Sequence, residues 1–265
     1  MTPFFRRIRH KLANDNQFLK YSRYAIGEII LVVIGILIAL QINNWNEERQ
    51  LKKSVDVYLN RLVEDLNNDI ENLFYQKSSH QFRYHCMQQL LKYAGLPENE
   101  MVSITPDPYK GQISDWEKPI PEDIDPQFLK IAFDHTSRLP KAVLVTSTID
   151  ELKNSGLFSY INDEKVIDGI NEYYSIFENN LGESEDDNIL LFRNNWTNIL
   201  AANGYNSYGL TDYRVIIEWL KRDPRGEAAL RNLISNAEWR YLSSQMQIEK
   251  ANELKIIIDA YLVSN

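Results

Sequence analysis

The histidines and the short acidic runs of this chain are the residues whose chemistry could bind a metal ion. His80 and His85 stand five residues apart, so they do not share a helix face, and neither belongs to a Glu-x-x-His or His-x-x-x-His pattern. The acidic runs 122–125 and 183–187 lack the alternating Asp or Asn residues and the distal glutamate of a calcium loop. The sequence therefore predicts no metal site, no cofactor, and solvated histidines and acids.

Residues for nucleophilic or acid–base catalysis are equally hard to find. Ser155 comes before Gly156 at what reads as a helix end, and no Gly-x-Ser-x-Gly elbow occurs in the chain. Asp115, Glu117 and His135 could serve an acid–base site beneath the proline-rich segment 97–126. A cap over the end of a helical bundle is the favoured interpretation of that segment. We therefore predict no catalytic residue and leave open whether the chain is an enzyme.

One apolar segment could anchor the whole chain in a membrane. Residues 25–42 read AIGEIILVVIGILIALQI, with Glu28 as the single charge. Such a run is long enough for a transmembrane helix, since about 20 residues span the hydrocarbon core. Tyr24 and Trp45 flank it, roughly 31 Å apart along a helix, and both rings can lie at the headgroups. No small-x-small cleavage site follows, so we predict an uncleaved single-pass signal anchor over 24–45.

The charges around this segment predict its direction. Residues 1–23 form a basic tail with six Lys or Arg, against four over a similar length after the span. This bias predicts a cytoplasmic N-terminus and a periplasmic domain over 46–265, at a bacterial inner membrane. Phe4, Ile8 and Leu12 recur every four residues in the tail, so a short amphipathic helix and a plain basic tail both stay open.

Three residues inside the span could do more than fill the bilayer. Gly35 and Ala39 form a small-xxx-small pair that would let another helix approach closely, so a homo-oligomer is possible. Glu28 lies about 6 Å inside the span and could reach the headgroups. A proton or ion role is the alternative for this carboxylate. The lipid bilayer is the partner that these residues predict most directly.

The charge and the cysteine content argue against nucleic-acid binding and against an internal disulfide. The chain is at −8, and residues 1–24 hold six basic residues and one acid, so the remainder is at about −13. This acidic remainder argues against nucleic-acid binding, which needs a basic surface. Cys86 is the single cysteine and cannot form an internal disulfide, so we predict a packed thiol.

Apolar spacing after the span predicts an all-α fold. Steps of three and four are typical of a helix with one buried face. Between 76 and 81 a polar patch leaves two alternatives, a continuous first helix or one with a break or bend there. Thr148 with Glu151 reads as a capping box. Tryptophans at helical spacing are predicted to pack in the hydrophobic core and not to line a ligand pocket. They are Trp116, Trp196, Trp219 and Trp239. In the first helix the predicted core positions are Leu51, Val55, Tyr58, Leu62, Leu66, Ile70, Leu73, Met87, Leu90, Leu91 and Ala94.

The last helix shows the most regular pattern of the chain. Asp223 and Pro224 are suited to start it. Its predicted heptad positions are Leu230, Ile234, Ala237, Tyr241, Ser244, Ile248, Ala251, Lys255, Ile258 and Leu262. Together the long first and last helices predict an elongated antiparallel helical bundle that continues from the transmembrane helix. A parallel dimeric coiled coil has the same spacing and is the alternative.

The sequence of the predicted anchor resembles that of a known group of proteins. The stretches 24–29 and 40–47, YAIGEI and LQINNWNE, resemble a family of uncharacterised membrane proteins from Bacteroidota, filed as a domain of unknown function. The basic start at 4–9 and the segment 148–156 are similar to that family too. The resemblance implies a Gram-negative inner membrane and a helical extramembrane region. It carries no activity and no catalytic residue.

These observations predict a membrane-anchored, non-catalytic periplasmic helical domain for partner binding, sensing or scaffolding. Its partner would be a membrane or periplasmic protein. The alternative is an envelope enzyme or small-ligand-binding protein with its site under 97–126. The residues with a predicted role belong to the anchor and its interfaces: Tyr24, Glu28, Gly35, Ala39 and Trp45.

Overall fold

The computed structural model of the protein describes residues 18–99, 116, 118–206 and 212–264, without the side chains of 18–21 and 184–186. Most of the basic tail 1–23 and most of the proline-rich segment 97–126 therefore lie outside the described residues. Asp115 and Glu117 lie outside them as well. Across the described ranges the regular structure is all helical and contains no strand, which confirms the predicted all-α class.

Seven α-helices and one 3-10 turn cover the described parts of the chain. The helices are α1 (Phe18–Tyr93), α2 (Pro126–Ser137), α3 (Ser147–Asn154), α4 (Glu164–Leu181), α5 (Glu183–Ala202), α6 (Arg214–Leu220) and α7 (Pro224–Ser264). The 3-10 turn is Leu157–Tyr160. The first and last helices are the longest, as predicted.

The chain divides into two compact units, Met1–Val57 and Tyr58–Asn265, and α1 contributes residues to both. In the first unit the apolar side chains from Ile26 to Ile42 are exposed. Within the described residues this is the one helix long and apolar enough to cross a membrane, judged by length and composition alone. The second unit holds the other six helices.

Helix α1 continues through the polar patch at 76–81, so of the two alternatives the continuous helix is correct. Its buried residues alternate in steps of three and four on one face, and the polar patch falls on that face. The buried positions are Leu59, Leu62, Leu66, Asp69, Leu73, Gln76, His80, Arg83, Met87 and Leu90. Of the predicted core positions, Leu51, Tyr58 and Ile70 are half-buried, and Leu59 and Asp69 are buried next to the last two. Helix α1 ends before Gly95, whose φ of 69° gives the left-handed turn expected at a C-cap.

The buried face of α7 lies partly one residue earlier than predicted. Leu230, Ile234, Ala237, Ser244, Ala251 and Ile258 are buried as expected. Tyr241, Ile248, Lys255 and Leu262 are half-buried, and Arg240, Gln247, Leu254 and Tyr261 are buried instead. Packing against α4 explains the change, because Gln247 Nε2 donates to the carbonyl of Tyr173 at 2.9 Å.

The helix starts are set by short side chains, and one predicted start is wrong. Asp223 accepts from the Arg225 amide at 3.0 Å, which confirms the predicted start of α7. Helix α3 begins at Ser147, so Thr148 lies within the helix and does not form the predicted capping box. Thr148 is buried inside the helix, and among the described residues no side chain caps the helix start by a hydrogen bond.

Aromatic residues fill one end of the second unit. Trp196 is fully buried, its ring 5.9 Å from Phe133 and 6.1 Å from Trp219. Trp116 is also buried, and these three tryptophans form core as predicted. Trp239 does not, since 47% of its surface is exposed. Cys86 is fully buried, as predicted for a packed thiol.

Candidate functional site

Polar side chains are buried on the inner faces of α1 and α7 and at the last residue of α2. We call this set the polar band, and no member is more than 7% exposed. Its members are Gln76, Ser79, His80, Arg83, Ser137, Arg240, Ser243, Ser244 and Gln247. Buried polar groups normally have hydrogen-bond partners, so a set of this size is a candidate functional site.

Arg83 has the most buried charge of the band. Its Nε donates to the carbonyl of His135 at 3.1 Å, and its Nη1 lies 3.1 Å from His80 Nδ1. Its Nη2 has no hydrogen-bond partner within the described part of the chain. Burial, together with the nearby charge of Arg240, lowers the pKa of Arg83 to about 10. The guanidinium is therefore still charged at neutral pH.

His80 provides an acceptor to Arg83 because it is neutral. Complete burial, with further effects from Arg83 and Arg240, lowers the pKa of His80 well below its usual value. The ring also hydrogen-bonds to the backbone of Pro140. Since Nδ1 accepts from Arg83, the proton belongs on Nε2, which donates to the Pro140 carbonyl. Two neighbouring elements thus hold the His80 ring in one tautomer.

Arg240 and the serines complete the band on α7. Arg240 Nη1 donates to the carbonyl of Leu181 at 3.4 Å. One turn further along, the hydroxyls of Ser243 and Ser244 are buried and accept or donate no hydrogen bond among the described residues. The Ser137 hydroxyl, two residues beyond the carbonyl that holds Arg83, has none either. Besides Nη2 of Arg83 and these three hydroxyls, the amide oxygens of Gln76 and Gln247 in the band are also buried without a hydrogen-bond partner among the described residues.

A buried carboxylate lies further along α1 and is fully used by structural contacts. Asp69 Oδ1 accepts from the Val145 amide at 2.8 Å, and Oδ2 accepts from the Tyr173 hydroxyl at 2.9 Å. Burial raises the pKa of Asp69 to about 6 despite these two hydrogen bonds, and Asp65 adds to the shift. Asp69 thereby links α1, α4 and the segment before α3. With both oxygens engaged, its geometry suits a structural link.

A shallow groove near α6 is a weaker candidate. Tyr205 and Trp219 line it together with Arg214 and Arg222. Arg214 already pairs with Asp212 at 2.9 Å, and its charge is therefore compensated. A surface arginine whose charge is already paired binds an anion weakly, so this groove is a poor anion site.

The five residues that were predicted to form the anchor and its interfaces all belong to the first part of α1. Trp45 is 62% exposed, and the Arg49 guanidinium lies 5.9 Å from its ring centroid. Ala39 is exposed, and a Cβ added at Gly35 would meet nothing within 4 Å. Tyr24 and Glu28 are half-buried. The helix thus brings Gly35 and Ala39 onto one open face and does not gather the five into a pocket.

The predicted solvation of the histidines is wrong for His80 and His135, which are 2% and 4% exposed. The His135 ring packs edge-on against Phe82 at 4.8 Å, inside the core. Asp115 and Glu117, its suggested catalytic partners, lie outside the described residues. In the described ranges, no group of three or more His, Cys, Asp or Glu side chains is placed to hold a metal ion.

Comparison with known proteins gives one match. Residues 28–90 match a family described as "Family of unknown function (DUF6090)". The matched region includes most of the apolar segment and the part of α1 that carries Asp69, His80 and Arg83. No curated protein and no solved structure matches the chain. The match supports an uncharacterised domain and assigns no activity.

Sequence reasoning missed Arg83, Arg240 and Asp69 as buried residues. A signal was present, because Asp69, Gln76, His80 and Arg83 continue the three-and-four spacing of the leucines before them. A helical repeat that is defined by apolar residues alone assigns polar residues in the same register to the surface. Position in the repeat is the better guide to burial in a helix of this length.

Proposed function

We propose that this chain is a membrane-anchored, non-catalytic helical domain that binds a partner or senses a ligand in the bacterial envelope. The observation that carries the proposal is the contrast between its two units. The unit Tyr58–Asn265 buries most of its leucines, whereas the apolar side chains from Ile26 to Ile42 are exposed. Exposed apolar surface of this extent needs a non-aqueous neighbour, and a bilayer suits a single helix.

The finer features of the proposal follow from the sequence. The bias in Lys and Arg supports a cytoplasmic N-terminus and a periplasmic location for the unit Tyr58–Asn265. The resemblance of 24–29 and 40–47 to Bacteroidota membrane proteins supports a Gram-negative inner membrane.

We also propose that α1 and α7 form the antiparallel pair of a helical bundle. Contacts support this order: Lys255 donates to Asn67, and the Lys77 amine lies 5.1 Å from the Tyr241 ring centroid. Residue numbers rise along α1 as they fall along α7. A parallel dimeric coiled coil would need the same buried face for a second copy, which leaves the intramolecular pair favoured.

Membrane anchoring is tested by alkaline extraction of membranes that contain the full-length protein. The protein should stay in the pellet and enter solution only with detergent. A variant with Ile34→Lys and Ile38→Lys should be released, since each central charge opposes insertion by about 2.5–3.5 kcal/mol. Val143→Lys is the matched control, because Val143 is 64% exposed in the second unit. Release of the unchanged protein without detergent would remove the basis of the proposal.

Partner binding is tested by crosslinking in native membranes followed by mass spectrometry. A photoreactive residue at Val215, which is 44% exposed, and one at Leu37 in the span report on the two units separately. A defined crosslinked species at either position supports partner binding or a homo-oligomer. Recovery of solitary monomer from both positions contradicts it.

Small-ligand binding is the second candidate, and the polar band favours it. The sequence suggested a site under 97–126, most of which lies outside the described residues. Among the described residues, Nη2 of Arg83 and the hydroxyls of Ser137, Ser243 and Ser244 in the band are buried without a hydrogen-bond partner. An enzymatic role has no comparable observation in its favour.

A further inference from the structure

Among the described residues, Arg83 carries a buried charge that pairs with no carboxylate. Its hydrogen bonds go to the His135 carbonyl and the neutral ring of His80, and the charge of a second guanidinium, Arg240, is close enough to lower its pKa. Burying an ion costs several kcal/mol unless an opposite charge and hydrogen bonds compensate it. Arg83 has some of the hydrogen bonds and lacks the opposite charge.

Further donors without a hydrogen-bond partner belong to the same polar band as Arg83. Its Nη2 is fully enclosed and donates to nothing among the described residues, and the Ser137, Ser243 and Ser244 hydroxyls are likewise uncommitted. A serine hydroxyl can rotate to donate to an anion. Buried water could satisfy these hydrogen bonds but would leave the charge uncompensated. The charge therefore favours an anion over water.

We propose that the polar band binds one compact anion, such as chloride or the carboxylate group of a small acid, against Nη2 of Arg83. The band serines are the further donors available to it. The anion must be compact because no residue of the band is more than 7% exposed. This proposal adds a ligand class to the proposed function, yet it depends only on the unit Tyr58–Asn265. Its failure would leave membrane anchoring and partner binding untouched.

The test is thermal unfolding of the full-length protein in detergent, followed by tryptophan fluorescence. Gluconate, which is larger than chloride or acetate, serves as the reference anion, and chloride or acetate replaces it at constant ionic strength and pH. We expect a saturable rise in Tm of roughly 5–10 °C at a hundredfold excess over Kd. Equal Tm values in all three anions would overturn the proposal.

Two variants separate specific binding from general salt effects. Arg83→Met removes the charge but keeps a long apolar side chain, so the response to chloride and acetate should disappear. Arg61→Met is the matched control, because Arg61 lies at the surface in a 3.0 Å pair with Glu151. It should keep the full response. A persistent response in Arg83→Met contradicts the proposal.

A second measurement covers the case in which Arg83→Met does not fold. Crystals of the unchanged protein soaked in bromide should show an anomalous peak in contact with Arg83 Nη2. A peak at surface arginines alone means an adventitious ion only, and would overturn the proposal together with a flat Tm response. Ordered water at Nη2 without any anion would do the same.

Discussion

At the scale of single residues, Asp69 should make the stability of the second unit depend on pH. It is 1% exposed, and burial raises its pKa to about 6 from an ordinary value near 3.9. The folded chain therefore binds a proton more tightly than the unfolded chain does. Stability should fall as pH rises from about 4 through 6 and level off above 7. The full change is about 3 kcal/mol.

Replacing this carboxylate by its amide isolates the effect. Asp69→Asn keeps an oxygen for the Val145 amide and removes the buried charge. At pH 7.5 its free energy of unfolding should equal or exceed that of the unchanged protein, and its dependence between pH 4 and 7 should be weaker. Denaturant titrations over this pH range measure both. Glu64→Gln, at an exposed position of α1, should leave the pH profile unchanged. Parallel profiles for Asp69→Asn and the unchanged protein would disprove this role.

At the scale of helices, much of the secondary structure could be predicted because the local rules are strong. The Asp223 and Pro224 start of α7 and the Gly95 end of α1 depend on residues within one turn. The register of the buried faces could not be predicted as well. Half-burial of Tyr241 and burial of Arg240 depend on where α4 packs, which is not encoded in α7 itself. The polar band escaped prediction for the same reason.

The packing of α6 on α7 gives a prediction at this scale. A Cβ at Gly226 would overlap the six-membered ring of Trp219. That ring is fixed, since its Nε1 donates to Asp223 at 3.2 Å and Tyr205 packs 5.6 Å from it. Gly226→Ala should therefore lower the free energy of unfolding by about 1–3 kcal/mol, although alanine favours helix. Chemical denaturation measures the difference.

A glycine-to-alanine change elsewhere provides the comparison. A Cβ at Gly169 on α4 would meet only methyl groups, 3.1 Å from Leu254 Cδ1 and 3.6 Å from Ile257 Cδ1. Those methyls can move by a few tenths of an ångström, so Gly169→Ala should change stability by less than about 1 kcal/mol. If both variants were equally stable, the Trp219 ring would not be fixed as described.

At the scale of the whole molecule, the proposed membrane orientation rests on a small difference in charge. Six basic residues precede the span and four follow it over a similar length. Orientation depends on this Lys and Arg balance near the ends of the span. In a Gram-negative host, alkaline phosphatase fused after Asn265 should be active, and green fluorescent protein fused there should stay dark. The opposite pair of results would place the second unit in the cytoplasm.

The same fusions can show whether the basic tail determines that orientation. Replacing Arg6, Arg7 and Arg9 by alanine leaves three basic residues before the span against four after it, which reverses the bias. Fluorescence should then appear and phosphatase activity should fall, because part of the population inserts the other way. Asp15→Asn is the control, since acidic residues contribute little to orientation. Unchanged reporters in the triple variant would mean that translocation of the 46–265 region, rather than the tail, fixes the direction.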